Sequence, residues 1–538
     1  MKALPATAIS LGLARGKVWI PKDPLAISDD EASAAPRDTM VETRRLDRAL
    51  AEVKSELRAA ADQVSAQMSE TLAEIFRAHE LMLDSLLSSR EFYSEMESSG
   101  ISSELAVRRV FQRWEAKFLR IENPVFRSKA DDLADLFRNI LQALGNGTTG
   151  SATDQIPSES IVVTRRLLPS DVIPLSQETV AAIVVEELGK GSHAALLVRE
   201  KGIPTVAGVI HLFDELHEGE EVLVDVSREE IILEPDQASS DAFNKRLEAY
   251  KESIKFCRTL CHQPAVTLGG AVIEVMANIG SHETAEAAAQ NGADGVGLFR
   301  LEQLYLGRDR PPDSDELFAE LLGILKPLRG KSVTIRLLDI GGDKLPRFMD
   351  RREDRNSLLG RRGVRLLLAH PELARRQLKA LLQLSGEMEI KILVPLVTLP
   401  ADMQAIRTLF EEVIASEAIA APPPLGAMIE TPAAALRLED LCAVSDFFSI
   451  GSNDLTQYTL AAARENPEVD DYYQDTHPAV LRLVKMIVEA AGSKEVTLCG
   501  ELAGREEAIP QLIELGLRSL SVAPIQIPFV KQQIRTLS

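Results

Sequence analysis

The residues of this chain whose types and spacing can do chemistry are one imidazole, three arginines, two carboxylates, an amide and a thiol. In GKGSHAALLVREKGIPTVAG, His193 follows a glycine-flanked turn and opens a helix-forming run. Backbone amides at such a helix start cradle anions, so a nucleophilic imidazole there, helped by Ser192, can accept a phosphoryl group. The same histidine can also serve as a cap or a packing residue. No Walker spacing accompanies the glycines, so they do not imply nucleotide binding.

The other groups lie in the last half of the chain, at the ends of apolar runs. Arg300 and Arg336 close two of them and Arg464 lies behind a third, where guanidinium forks suit phosphate or carboxylate oxygens. Ordinary surface ion pairing is the alternative for each arginine taken singly. Glu430 in GAMIETPAAA and Asp454 in SIGSNDLTQYT offer hard oxygen ligands for Mg²⁺, or anchor their loops. Asn453 can donate to a phosphoryl oxygen or cap a turn. Cys499 in VTLCGELAG can pass a proton to carbon or attack an electrophile, and burial alone is also a sufficient reason for a cysteine. Asn278 and the DIGGDK run, Asp339 to Lys344, fall beside the same run ends.

Those run ends imply the elements. Eight strand-like runs, AVIEVMAN, GVGLFR, SVTIRLLDI, KILVPLV, LGAMIE, DFFSIG, VTLCG and LSVAP, alternate with helical segments, which predicts a closed parallel barrel over 265–538. Chemistry then belongs at the C-terminal strand ends. Residues 38–144 read as amphipathic helices, and 145–237 as a compact α/β region joined through a polar Gly/Ser/Thr stretch. The opening LARGKVWI predicts a strand that pairs back onto that region. Residues 1–37 and 145–237 are therefore expected to form one α/β domain, with 38–144 inserted and 238–264 a polar linker helix.

The 538 residues carry 60 basic and 81 acidic side chains, a formal charge of -21, which disfavours a nucleic-acid scaffold while leaving room for a local basic pocket. With no long apolar run, no secretion-type N-terminus and four cysteines without a CxxC pair, a cytoplasmic protein off the membrane is expected.

GKGSHAALLVREKGIPTVAG, LFRLE, IRLLDIGGDK, IETPAAA, FFSIGSNDLTQYTLAAARENP and CGELAG, in that order, resemble the motifs of enzyme I of the bacterial phosphoenolpyruvate-dependent sugar phosphotransferase system. The resemblance covers nearly the whole chain. It implies a swivelling phosphohistidine α/β domain with an inserted helical carrier-binding subdomain, followed by a (β/α)8 TIM barrel. It implies that His193 accepts phosphate from phosphoenolpyruvate on Nε2, supported by Ser192 and Gly191, and passes it to the carrier HPr. Arg300, Arg336, Asn453 and Arg464 would hold phosphoenolpyruvate, Glu430 and Asp454 Mg²⁺, and Cys499 would protonate the enolate to pyruvate. A homodimer through the barrels is implied as well. Two departures stand out: the family's GGxTSH becomes LGKGSH, with Leu188 for glycine and Gly191 for threonine, and Leu337 replaces a common threonine. The rival readings are a silent partner-binding homologue and a pyruvate phosphate dikinase relative without its nucleotide domain.

Overall fold

The computed structural model describes residues 2–21, 38–67, 70–119, 124–145, 156–176, 179–189, 192–209, 211–305, 308–341, 348–349, 358–464 and 467–538. Gly191 and the Gly342–Lys344 part of the DIGGDK run lie outside the described residues. The chain folds as two units, one over Met1–Glu252 and one beginning at Ser253, and the helix Gln237–Thr259 runs through the boundary.

The N-terminal unit is built on an eight-stranded sheet. Its strands are β1 (Lys2–Pro5), β2 (Thr7–Ser10), β3 (Leu13–Trp19), β4 (Ser160–Arg166), β5 (Val180–Glu187), β6 (Thr205–Ala207), β7 (Glu221–Asp225) and β8 (Glu230–Leu233), in the order β1-β8-β7-β3-β4-β5-β6-β2. LARGKVWI does pair back: Leu13–Lys17 runs antiparallel to Asp225–Glu221, and Lys17–Trp19 parallel to Ser160–Val162. Five helices, Thr39–Gln67, Glu70–Ser89, Glu91–Ser99, Ser103–Leu119 and Pro124–Leu144, leave the sheet after β3 and return to it before β4.

Strand alternation divides this unit into two cores. Ile161, Val163, Ala182 and Val184 face a core on one side with Val222 and Val224. Val162, Ile183 and Val185 point the other way and share a core with Leu46, Phe76 and Phe137 of the inserted helices and with Ala194, Ala195, Leu197 and Val198 behind His193. The helix carrying the histidine is therefore packed into the core it shares with the insertion.

In the C-terminal unit a short strand β9 (Ala265–Val266) folds back antiparallel on β10, and eight parallel strands close into a barrel. These are β10 (Val272–Ile279), β11 (Val296–Arg300), β12 (Val333–Arg336), β13 (Ile390–Val394), β14 (Leu425–Ile429), β15 (Phe448–Gly451), β16 (Val496–Cys499) and β17 (Ser519–Val522). Closure is made by β10, which pairs with both β17 and β11. Each predicted run overlaps one of the eight strands, because short apolar runs bounded by turns leave little choice of element. Register then sets the mouth: Arg300 lies opposite Arg336 across β11 and β12, and Gly451 opposite Cys499 across β15 and β16.

Candidate active site

At the C-terminal rim of the barrel, charge is concentrated in a small buried volume. Arg336 Nη2 donates to Glu302 Oε1 at 3.1 Å, and its Nη1 lies 3.2 Å from Asp339 Oδ2. Arg362 bridges two loops, with Nη2 2.7 Å from Asp339 Oδ2 and 3.0 Å from Asp454 Oδ2. Asp339, Glu430 and Asp454 bring one carboxylate oxygen each within 4.8 Å of one another. Burial, and then the charges of Asp454 and Asp339, push the Glu430 carboxyl well above its ordinary range. Unit charges about 4 Å apart repel by roughly 4 kcal/mol at the dielectric of a protein surface, so three clustered carboxylates call for cations. Arg336 and Arg362 supply part of that need: burial opposes their charge, but the surrounding carboxylates outweigh it and raise both guanidinium pKa values. Arg300 is held below its ordinary value by burial and by Arg336 beside it. The cluster is an acidic site able to hold a metal ion, and its all-oxygen donors suit a hard one.

Two glycines let the rim close this tightly. A Cβ on Gly451 would stand 2.7 Å from Glu430 Oε2. Gly500 has φ +108°, and a Cβ there would meet Ser452 Oγ at 2.1 Å. Gly451→Ala is expected to force Glu430 off its position, cost about 1–3 kcal/mol, and weaken divalent-ion binding. Calorimetric titration with Mg²⁺ alongside thermal melting checks this, and an unchanged affinity counts against the drawn cluster.

Two buried atoms at the rim, Glu302 Oε2 and Arg336 Nε, have no hydrogen-bond partner among the described residues. Leaving such groups unpaired is costly. Asn453 Oδ1 accepts from Glu501 N at 3.0 Å, tying the loops after β15 and β16 together. Cys499 is buried, with Sγ 3.3 Å from Ile450 O and 3.6 Å from Ser449 Oγ. Burial raises its thiol pKa and so favours the SH form.

In the N-terminal unit, Ser192 caps the helix His193–Lys201, its Oγ accepting from Ala195 N at 3.3 Å. The His193 ring is partly exposed beside Asp131, Leu167 and Pro169, and its Nδ1 lies 3.1 Å from Asp132 Oδ1. Burial works against charge on Asp132, yet the neighbouring rings, His193 first and then His79, hold this carboxyl well below its ordinary range.

Comparison with known proteins follows the same division. The family description "PEP-utilising enzyme, PEP-binding domain" matches residues 255–538, "PEP-utilising enzyme, N-terminal" residues 5–129, and "PEP-utilising enzyme, mobile domain" residues 156–229. The phosphoenolpyruvate-protein phosphotransferase of Bacillus subtilis (strain 168) is 33% identical over 546 residues, covering 100% of this chain and 95% of the relative. This chain belongs to the phosphoenolpyruvate-protein phosphotransferase family. The Geobacillus stearothermophilus protein of the same name is 33% identical over 544 residues, covering 100% of this chain and 93% of its own, and the Staphylococcus carnosus (strain TM300) protein 32% over 546, covering 100% and 94%. The match to the phosphotransferase family's mobile domain contains His193, and the match to its PEP-binding domain contains the whole barrel rim.

Of the residues the sequence singled out, Arg300, Arg336, Glu430 and Cys499 act on one another's charge in this phosphotransferase rim, and Asp454 joins them through Glu430. Arg464 is close enough to lower the pKa of Arg300, and its backbone N donates to Gln457 Oε1 at 3.1 Å. Asn278 is used elsewhere: its Nδ2 donates to Ser521 O at 3.0 Å and its Oδ1 accepts from Ser521 Oγ at 2.7 Å inside the barrel wall. Sequence reasoning did not single out Glu302, Arg362, Asp132 or His79, and took Asp339 only as part of a glycine turn. The acid in LFRLE and the acid opening DIGGDK, each close behind a strand-end arginine, were signals for Glu302 and Asp339.

Proposed function

We propose that the chain takes the phosphoryl group of phosphoenolpyruvate onto His193 Nε2, releases pyruvate, and passes the phosphoryl group to a histidine of an HPr-like phosphocarrier protein. The observation that carries this reading is the rim, where buried arginines stand against a three-carboxylate cluster and Glu302 Oε2 and Arg336 Nε have no partner among the described residues. In it, Arg300, Arg336, Asn453 and Arg464 bind the phosphate and carboxylate of phosphoenolpyruvate. Glu430 and Asp454, joined by Asp339, hold Mg²⁺, which when bound offsets phosphate charge. Arg362, now paired to Asp339 and Asp454, is a further cation for the substrate. Cys499 gives its proton to the enolate carbon, and Ser192 and Gly191 support the phosphohistidine.

The division of labour follows: residues 1–37 and 145–237 carry the histidine, 38–144 dock the carrier, 238–264 link, and 265–538 bind phosphoenolpyruvate. Among the described residues no helix is long and apolar enough to cross a membrane. The reading includes a cytoplasmic setting and a homodimer through the barrels, which sedimentation of the purified chain would test.

Incubation with Mg²⁺ and phosphate-labelled phosphoenolpyruvate is expected to leave an acid-labile label that moves to added HPr. No acid-labile label would sink the assignment. Cys499→Ala is expected to slow pyruvate formation by about a hundredfold while leaving back-transfer from phosphorylated HPr to His193 intact. Pyruvate formation at the native rate would remove Cys499 as the acid.

A further inference from the structure

His193 does not stand alone behind its exposed edge. Its Nδ1 meets Asp132 Oδ1 at 3.1 Å, and the same oxygen lies 3.3 Å from Nε2 of His79, whose side chain is 0% exposed. His79 Nδ1 in turn lies 3.5 Å from Asp135 Oδ2, which accepts from Ser170 Oγ at 2.9 Å and Ser170 N at 3.2 Å. A row Asp135, His79, Asp132, His193 therefore crosses from the inserted helices to the helix of His193. Burial raises the Asp135 carboxyl to about 6. Neither ring nitrogen of His79 closes a full hydrogen bond, so burying this imidazole among apolar neighbours such as Phe76 is costly for stability alone.

We propose that His79 is a positioning residue for phosphoryl transfer, acting through Asp132 to hold His193 as the Nδ1–H tautomer with the Nε2 lone pair outward. The inference rests on His193 being the phosphoryl acceptor. An ionised Asp132 accepts only, so the imidazole nitrogen facing it is the protonated one and the other is the nucleophile. In the transfer, the Nε2 lone pair forms the N–P bond as the bond from phosphorus to the enol oxygen breaks. That oxygen keeps the electron pair, the enolate takes a proton at carbon, and the Nδ1 proton stays between His193 and Asp132. Positive charge gained by the ring falls beside Asp132, the logic of a carboxylate that orients a catalytic imidazole.

Ring-nitrogen NMR of the full-length unphosphorylated protein tests this without any transfer. Native His193 is expected as Nδ1–H with bare Nε2. Asp132→Asn and His79→Leu should shift it toward Nε2–H and slow labelling from phosphoenolpyruvate by about tenfold or more, while His79→Gln, whose amide can stand where Nε2–H does, keeps both. Native His193 as Nε2–H, an unchanged tautomer in folded Asp132→Asn, or loss of the tautomer in His79→Gln would overturn the proposal. A slower His79→Leu with the native tautomer would also overturn it, since that marks packing alone. If native protein shows the Nδ1–H tautomer yet takes no label, the transfer reading fails while the orientation stands.

Discussion

Replacing His193 by alanine is expected to abolish acid-labile labelling from phosphoenolpyruvate and all transfer to HPr, a loss of about a thousandfold or more set by removal of a covalent nucleophile. Stability should change little. The His193 side chain is 39% exposed, the helix start is capped by Ser192 rather than by the imidazole, and the core behind it is made by Ala194, Ala195, Leu197 and Val198. One compensating loss is Asp132, which gives up one imidazole and keeps His79 at 3.3 Å. Phosphohistidine detection together with thermal melting checks both halves. A His193→Ala protein that still carried acid-labile phosphate would move the acceptor elsewhere; one that unfolded would leave the binding of phosphoenolpyruvate by the barrel as the separate readout.

Arg336→Ala is expected to damage catalysis and fold together. The guanidinium is 12% exposed and paired to Glu302 and Asp339, so its removal takes a charged partner from both carboxylates, leaving Asp339 with Arg362 and Glu302 with the backbone N of Asp339, which costs about 1.5–3 kcal/mol. On the proposed function the same change removes a donor to the substrate's charge, worth about 10²–10³ in rate when such a group is lost. Arg336→Lys should recover much of the stability and less of the rate, because an ammonium restores the charge without the fork that reaches Glu302 and Asp339 at once. Melting curves and kcat/KM for phosphoenolpyruvate separate the effects. Native kcat/KM in folded Arg336→Ala would remove this arginine from the site.

How legible the molecule was from its residues differs between elements and contacts. The barrel strands were readable because each is a short apolar run bounded by turns, and because a parallel barrel places the polar residue that ends each run at one rim. Arg300, Arg336, Glu430, Asp454 and Cys499 were found by that rule alone. The N-terminal sheet was readable in outline, and pairing of the strand-like Leu13–Trp19 with strands more than a hundred residues later was anticipated.

What stayed hidden depends on which way a buried side chain faces and on what waits there. Arg362 lies just before the helix Val364–Ala369, and nothing local says that its fork spans Asp339 and Asp454, 23 and 92 residues away. His79 looks like any histidine on an amphipathic helix until packing sets it behind Asp132 and Asp135. By itself, then, the sequence determined the strands, the rim and the helix start that carries His193, since these follow from local periodicity and motif. Only the tertiary structure decided which carboxylates share a charge cluster and which groups stand behind His193. Burial brings residues from distant segments within a few ångströms, and at that range desolvation and Coulomb energies outweigh any preference the individual residue carries along the chain.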